Sequence, residues 1–185
     1  MKKTEIEVKL RIVKIDGLED RLRDIGATPT RPRGFEDNQL YDFPDFALKE
    51  RGAMLRLRQQ ESGAVLTYKD GGRVESGAKV RDEIETTLGD GPTAALILAK
   101  MGMRPLFRYQ KYRTTYSSAD LLITIDETPI GNFFELEGPK ARIDEVAARL
   151  GYKTADYIAK SYFTLYREQQ TERGLPVRDM LFEDH

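Results

Sequence analysis

Polar and apolar residues alternate along eight stretches of this chain, at about 4–13, 36–43, 53–60, 64–70, 80–88, 105–117, 120–127 and 132–138. A period of two predicts β-strands, with successive side chains on opposite faces. Between the strands, the spacing predicts helices with recognisable ends. Asp16 and Glu19 have the spacing of a capping box, Leu18, Leu22 and Ile25 form a stripe, and Gly26 closes it. Pro92 suits a first helical turn, Leu96, Ile97 and Met101 follow, and Gly102 ends that helix. Ile143, Val146, Ala147 and Leu150 are spaced i, i+3, i+4, i+7 before Gly151, and a last helix is expected from about Ser161 to Thr171. The reading is one domain over residues 1–173, with 174–185 as a flexible C-terminal tail.

The strands put charge on one face and bulk on the other. Glu5, Glu7, Lys9 and Arg11 fall in one row, opposite Ile6, Val8, Leu10 and Ile12. Arg56 and Arg58 alternate with Leu55 and Leu57; Arg81, Glu83 and Glu85 with Val80 and Ile84. Lys69 shares a face with Thr67, Lys111 and Arg113 with Tyr109, and Asp126 with Thr124. Glu135 and Glu137 oppose Phe134 and Leu136. Glu-x-Glu thus occurs in three strands, each followed by an amphipathic helix that ends at a glycine, which suggests a loosely repeated strand–helix unit around a common centre.

Composition narrows the chemistry. Thirty basic and 31 acidic residues give a net charge of −1, without the basic excess of a general nucleic-acid binder. There is no cysteine, so thiolate chemistry, disulfides and cysteine-ligated metals are excluded. The one histidine, His185, is the last residue, which argues against histidine bases, Ser-His-Asp triads and zinc–histidine sites. A bound metal would therefore be hard and oxygen-ligated. No run approaches the ~18 apolar residues that span a bilayer, and no apolar signal region precedes the first strand. A cytoplasmic protein without membrane or nucleic-acid partners is expected.

Two readings of the charged faces stand. One is the solvated side of an antiparallel sheet, where cross-strand charge pairs contribute ~0.2–1 kcal/mol each. The other is a sheet closed on itself, with an aqueous lumen. The faces are almost wholly Arg, Lys, Glu and Asp, with few Ser, Thr, Gln or Asn, and arginine's fork matches phosphate oxygens. A lumen that held a polyanion and a divalent cation together would use both signs of charge.

These residues resemble a family. Glu5-Ile6-Glu7-Val8-Lys9 is similar to the Glu-x-Glu-x-Lys signature of the CYTH superfamily, or triphosphate tunnel metalloenzymes. The resemblance runs on through Leu40-Tyr41-Asp42, Leu55-Arg56-Leu57-Arg58, Thr67-Tyr68-Lys69, Arg81-Asp82-Glu83-Ile84-Glu85, Lys111-Tyr112-Arg113 and Phe134-Glu135-Leu136-Glu137-Gly138, over roughly residues 1–168. Asp126-Glu127-Thr128-Pro129-Ile130-Gly131 looks most like the class IV adenylyl cyclase branch. The resemblance implies an α+β fold, a closed eight-stranded antiparallel β-barrel with helices packed outside. It implies Mg²⁺ or Mn²⁺ on Glu5, Glu7, Asp126, Glu135 and Glu137, and phosphate oxygens on Lys9, Arg56, Arg58, Lys69, Lys111 and Arg113. Arg81 and Glu83 would sit mid-tunnel and join Glu5, Glu7 and Lys9 in catalysis. Lys160 resembles a basic residue on a C-terminal helix that closes over substrate; it reads equally well as an ordinary helix-start lysine. Tyr109, Tyr112 and Tyr116 read as packing residues, with base stacking as the alternative. The implied activity is conversion of ATP to 3′,5′-cyclic AMP and pyrophosphate. The alternatives are hydrolysis of tripolyphosphate or thiamine triphosphate and a non-catalytic polyphosphate or nucleotide sensor, with homodimerisation left open.

Overall fold

The computed structural model describes residues 2–14 and 16–183. The expectation for His185 falls outside them. Eight strands form a closed antiparallel barrel: β1 Lys2–Arg11, β2 Thr28–Asp42, β3 Met54–Gln60, β4 Gly63–Glu75, β5 Ala78–Leu88, β6 Arg104–Ser118, β7 Leu121–Thr128 and β8 Gly131–Glu137. Around the barrel their order is β1-β5-β4-β3-β2-β6-β7-β8. The charged faces point inward and the sheet has no long solvated side, so the open-sheet reading does not hold.

The closure follows from the outer face. Val8, Leu10, Ile123, Phe134 and Leu136 are fully buried outside the barrel, beneath Leu18 and Leu22 of α1 (Leu18–Asp24) and Ile143, Val146 and Ala147 of α4 (Lys140–Arg149). A second apolar cluster joins Leu57 and Ala64 to Leu48 of α2 (Ala47–Glu50) and Leu98 of α3 (Gly91–Lys100). Burying a side chain of this size contributes ~1.5–3 kcal/mol, so turning this face inward would lose far more than surface ion pairs could return. Gly138 ends β8 because the chain there has no room: a Cβ would stand 2.8 Å from the Asp120 carbonyl oxygen, at φ 154°.

Helix ends agree with expectation in part. Asp90 caps α3 by accepting the Thr93 N–H at 2.9 Å, and Ser161 caps α5 (Tyr162–Glu172) by accepting the Thr164 N–H at 3.1 Å. The expected Asp16–Glu19 box is not formed; Gly17, with φ 68°, stands at the N-cap of α1 without a side-chain cap. β2 begins at Thr28 rather than near residue 36, because Pro29, Pro32 and Gly34 interrupt its alternation and its pairing with β6 shifts register at these points. Helix α2 has too few residues to show a period. Its anchor is Asp42, which accepts N–H groups of Phe43 at 2.7 Å, Leu48 at 2.9 Å and Lys49 at 3.0 Å. Asp42→Ala would orphan these donors and is expected to cost about 1–3 kcal/mol, measurable as a lower thermal midpoint.

The segment past α5, expected as a loose tail, lies against β6. Met180 is buried, donates its N–H to Arg108 O at 2.9 Å and accepts the Gln110 N–H at 3.0 Å. The reason is an open edge: β7 pairs with β6 only from Tyr112 onward, which leaves the start of β6 free on that side. Phe182 then packs on Tyr112 at 5.3 Å between ring centres. Among the described residues no helix is long and apolar enough to cross a membrane.

Candidate active site: a tunnel with two charged walls

The barrel encloses a cavity of about 1150 Å³ lined by its inward side chains. The three Glu-x-Glu strands are not spread around it. They are neighbours, in the order β5-β1-β8, and each is followed by one helix (α3, α1 and α4). The expected common centre is therefore an acidic wall, made by Glu83, Glu85, Glu5, Glu7, Glu135 and Glu137. Across the tunnel, β3 and β6 carry Arg56, Arg58, Lys111 and Arg113, a basic wall, and Lys69 on β4 extends it round to the edge of β5.

Ion pairs run within and between the walls. Lys9 reaches Glu135 at 2.8 Å and Glu7 at 3.3 Å; Lys69 reaches Glu5 at 2.6 Å and Glu83 at 3.4 Å. Arg113 binds Asp126 at 2.6 Å and also Glu135. Lys111 binds Asp126 at 2.8 Å. Arg56 is held by Thr67 at 3.2 Å and the Tyr109 hydroxyl at 3.4 Å, with Glu85 at 3.9 Å. Such buried pairs are costly to desolvate and costly to half-remove, so each cation is held in a fixed place.

Protonation follows the crowding. Burial, then Glu7, pushes the Glu5 carboxyl up to about 7, against the pull of Lys69. Burial and Glu135 act the same way on Glu7, but Lys9, Lys79 and Lys69 outweigh them and hold it below the usual carboxylate range. For Glu5 the folded-state value exceeds the unfolded one, so its contribution to stability is full below pH 4.5 and lost as pH rises through about 7. Glu5→Gln should therefore melt higher than wild type at pH 8 in chelator, and the gap should close towards pH 4.5. Thermal melts at the two pH values check this; a gap that does not change with pH would overturn the sign.

The sequence-expected residues fall into three groups. Glu5, Glu7, Lys9, Arg56, Arg58, Lys69, Arg81, Glu83, Lys111, Arg113, Glu135 and Glu137 all line the cavity. Asp126 is fully buried behind them, and its carboxylate is taken up by Lys111, Arg113 and the Tyr162 hydroxyl at 2.7 Å. It orients the two cations of β6, and as a metal ligand it would first have to release them. Lys160 stands apart: it is exposed and paired with Glu168 at 2.8 Å, because Ser161 caps α5 and the helix turns the next residue, Tyr162, into the tunnel instead. Tyr162 sits under Lys9 at 4.5 Å and Lys111 at 5.5 Å from its ring centre. Tyr112 packs outside against Phe35 and Arg33, and Tyr116 against the α1 cluster, while Tyr109 gives its hydroxyl to the site.

Two lining residues were not singled out from sequence. Glu36 is buried between Arg58 at 3.1 Å and Lys111 at 3.5 Å; burial would raise its carboxyl, but Lys111, Arg113 and Arg58 hold it down at about 2. Lys79 continues the Arg81–Glu83–Glu85 row by one more step of two, the signal that would have found it. Burial lowers its ammonium to about 8; Glu7 opposes this, and Arg81, Lys9 and Lys69 add to it.

Among the described residues no three acidic side chains form a ready metal cage. The donor set nevertheless fits a hard divalent cation: it is carboxylate oxygen throughout, with Glu5, Glu7, Glu135 and Glu137 gathered on two neighbouring strands.

The comparisons agree with this architecture. A Methanocaldococcus jannaschii protein, provisionally named an adenylate cyclase, is 26% identical over 172 residues, covering 87% of this chain and 97% of its own. A Vibrio parahaemolyticus structure with the same provisional name superposes with a TM-score of 0.79 at 20% identity, covering 88% of this chain and 97% of its own. A Hippeastrum structure, described as an adenylyl cyclase candidate with a dominant triphosphatase activity, gives 0.68 at 17%, covering 94% and 97%. The family model of the CYTH domain matches residues 3–162. With the closed barrel and the Glu-x-Glu-x-Lys strand on its inner wall, this chain belongs to the CYTH domain family.

Proposed function

We propose that this protein is a metal-dependent enzyme acting on a triphosphate, and that its reaction is that of a class IV adenylyl cyclase: ATP to 3′,5′-cyclic AMP and pyrophosphate. The observation that carries the reading is the pair of facing walls, acidic and basic, within one cavity. Arg56, Arg58, Lys69, Lys111 and Arg113 would bind the phosphate oxygens, and arginine forks would do so bidentately. Glu5, Glu7, Glu135 and Glu137 would hold Mg²⁺ or Mn²⁺; when bound, the ion supplies charge stabilisation at the phosphoryl oxygens. The substrate's 3′-hydroxyl attacks the α-phosphorus, pyrophosphate leaves, and the hydroxyl proton passes to a carboxylate of the acidic wall. Leu40, Met54, Leu106 and Phe163 also line the cavity and offer apolar ground for a base beside the charged walls.

The second reading is a triphosphatase acting on tripolyphosphate or thiamine triphosphate. The Hippeastrum neighbour's described activity favours it, and the same clamp would serve with water as the nucleophile. A product screen with ATP, tripolyphosphate and thiamine triphosphate, each with Mg²⁺ and Mn²⁺, separates the two. Cyclic AMP with pyrophosphate supports the cyclase. Orthophosphate from any substrate, without cyclic AMP, assigns the hydrolase, and no product from any substrate overturns both.

A further inference from the structure

Almost every cation in the tunnel is already engaged. Lys9 and Lys69 are paired to glutamates, Arg58 to Glu36, and Lys111 and Arg113 to Asp126. To hold a phosphate, each must give up or share a carboxylate. Lys79 and Arg81, two residues apart on β5, differ. Among the described residues neither is in an ion pair, and the buried Nε of Arg81 has no hydrogen-bond acceptor. The acids opposite them in register are Glu7 and Glu5. These have been drawn off, Glu7 to Lys9 at 3.3 Å and Glu5 to Lys69 at 2.6 Å. The backbone of β4 makes room for the arginine: a Cβ at Gly72 would stand 3.0 Å from Arg81 Nε.

We infer that Lys79, together with Arg81, forms a standing anion subsite on the acidic wall, which takes a phosphate group of the substrate without breaking an ion pair. The inference rests on the triphosphate reading of the tunnel and assigns Lys79 a substrate-binding role. Two half-buried cations side by side, with Glu5 and Glu7 near in register but in direct contact with other lysines, are poor packing, because a partly desolvated charge without a contact partner is costly. A ligand phosphate would supply the missing partner for both. The basic wall then adds its contacts as its own carboxylates are released to a cation. On this account β5 governs affinity for the bare polyanion more than any other strand.

The test is isothermal titration of inorganic tripolyphosphate into the full chain, once in chelator and once with Mg²⁺. Wild type is compared with Lys79→Met, which keeps the stem, Lys79→Arg, which keeps the charge, and Lys100→Met, an exposed control at the end of α3. Lys79→Met should bind about tenfold or more weakly, the scale of one charge-assisted bond. Lys79→Arg should stay within about threefold and Lys100→Met should match wild type, since only charge on the tunnel face counts. The ligand-free melting midpoint of Lys79→Met should be equal or higher, because a half-buried cation without an ion-pair contact is gone. If wild type binds and Lys79→Met binds equally well, the inference is overturned while the tunnel reading stands. It is also overturned if Lys100→Met loses as much, which marks diffuse attraction, or if the ligand-free midpoint of Lys79→Met falls, which marks a structural lysine. If wild type binds under neither condition, the triphosphate reading itself fails.

Discussion

Glu7→Gln is expected to fold and to lose turnover by a factor of about a hundred or more, the several kcal/mol that a divalent ion contributes at a phosphoryl centre. The fold should survive because the substitution keeps volume and lies on the inner face, while Ile6 and Val8 on the outer face still pack. Lys9 keeps Glu135 at 2.8 Å when Glu7 loses its charge. What goes is one of the acids gathered on β1 and β8, opposite Glu137 in register and next to Glu5 along the strand. The measurement is steady-state turnover at saturating Mg²⁺ or Mn²⁺, beside circular dichroism of the variant. Wild type in excess chelator should fall to the same floor. Full activity there would remove the metal from the account.

The second large effect concerns ligand-linked stability. Tripolyphosphate with a divalent ion should bridge strands from both walls of the barrel. At 100 times its dissociation constant a ligand stabilises by ~2.7 kcal/mol, which for a chain of this size raises the melting midpoint by roughly 5–10 °C. Monophosphate at equal concentration spans only part of the clamp and should do much less. Thermal melts with each anion decide it. An unmoved midpoint with every triphosphate, with and without metal, would mean that the ion pairs between the walls are structural and that no polyanion replaces them.

Much of this was legible because a strand writes its two faces into alternate letters. Arg56 and Arg58 against Leu55 and Leu57 require opposite environments, and only closure gives eight such strands an apolar outside and a charged inside. The misses have physical causes. Glu36 opens the expected 36–43 strand, but Asp37, Asn38 and Gln39 follow it, so both faces are polar there and the pattern does not say which one turns inward. For Asp126 and Lys160 the resemblance suggested roles, which stand as expectations, but not the contacts that their side chains make. Their partners, Tyr162 and Glu168, are set by how α5 meets the barrel, and no local pattern encodes that meeting. The docked C-terminal segment was missed for the same reason: Met180 fits a gap left by the shorter pairing of β6 with β7, a gap that exists only in three dimensions.

The strand order has a consequence for how the molecule comes into being. β1 carries Glu5, Glu7 and Lys9, yet its two neighbours are β5 and β8, so one edge waits for residues 78–88 and the other for residues 131–137. During synthesis the first strand made is the last to be enclosed. Pairings so distant in sequence form slowly, and an unpaired edge invites other chains. The glutamates and lysine on its inner face charge that waiting edge heavily. The same side chains that give the finished tunnel its acidic wall would thus also discourage the nascent chain from pairing with its neighbours.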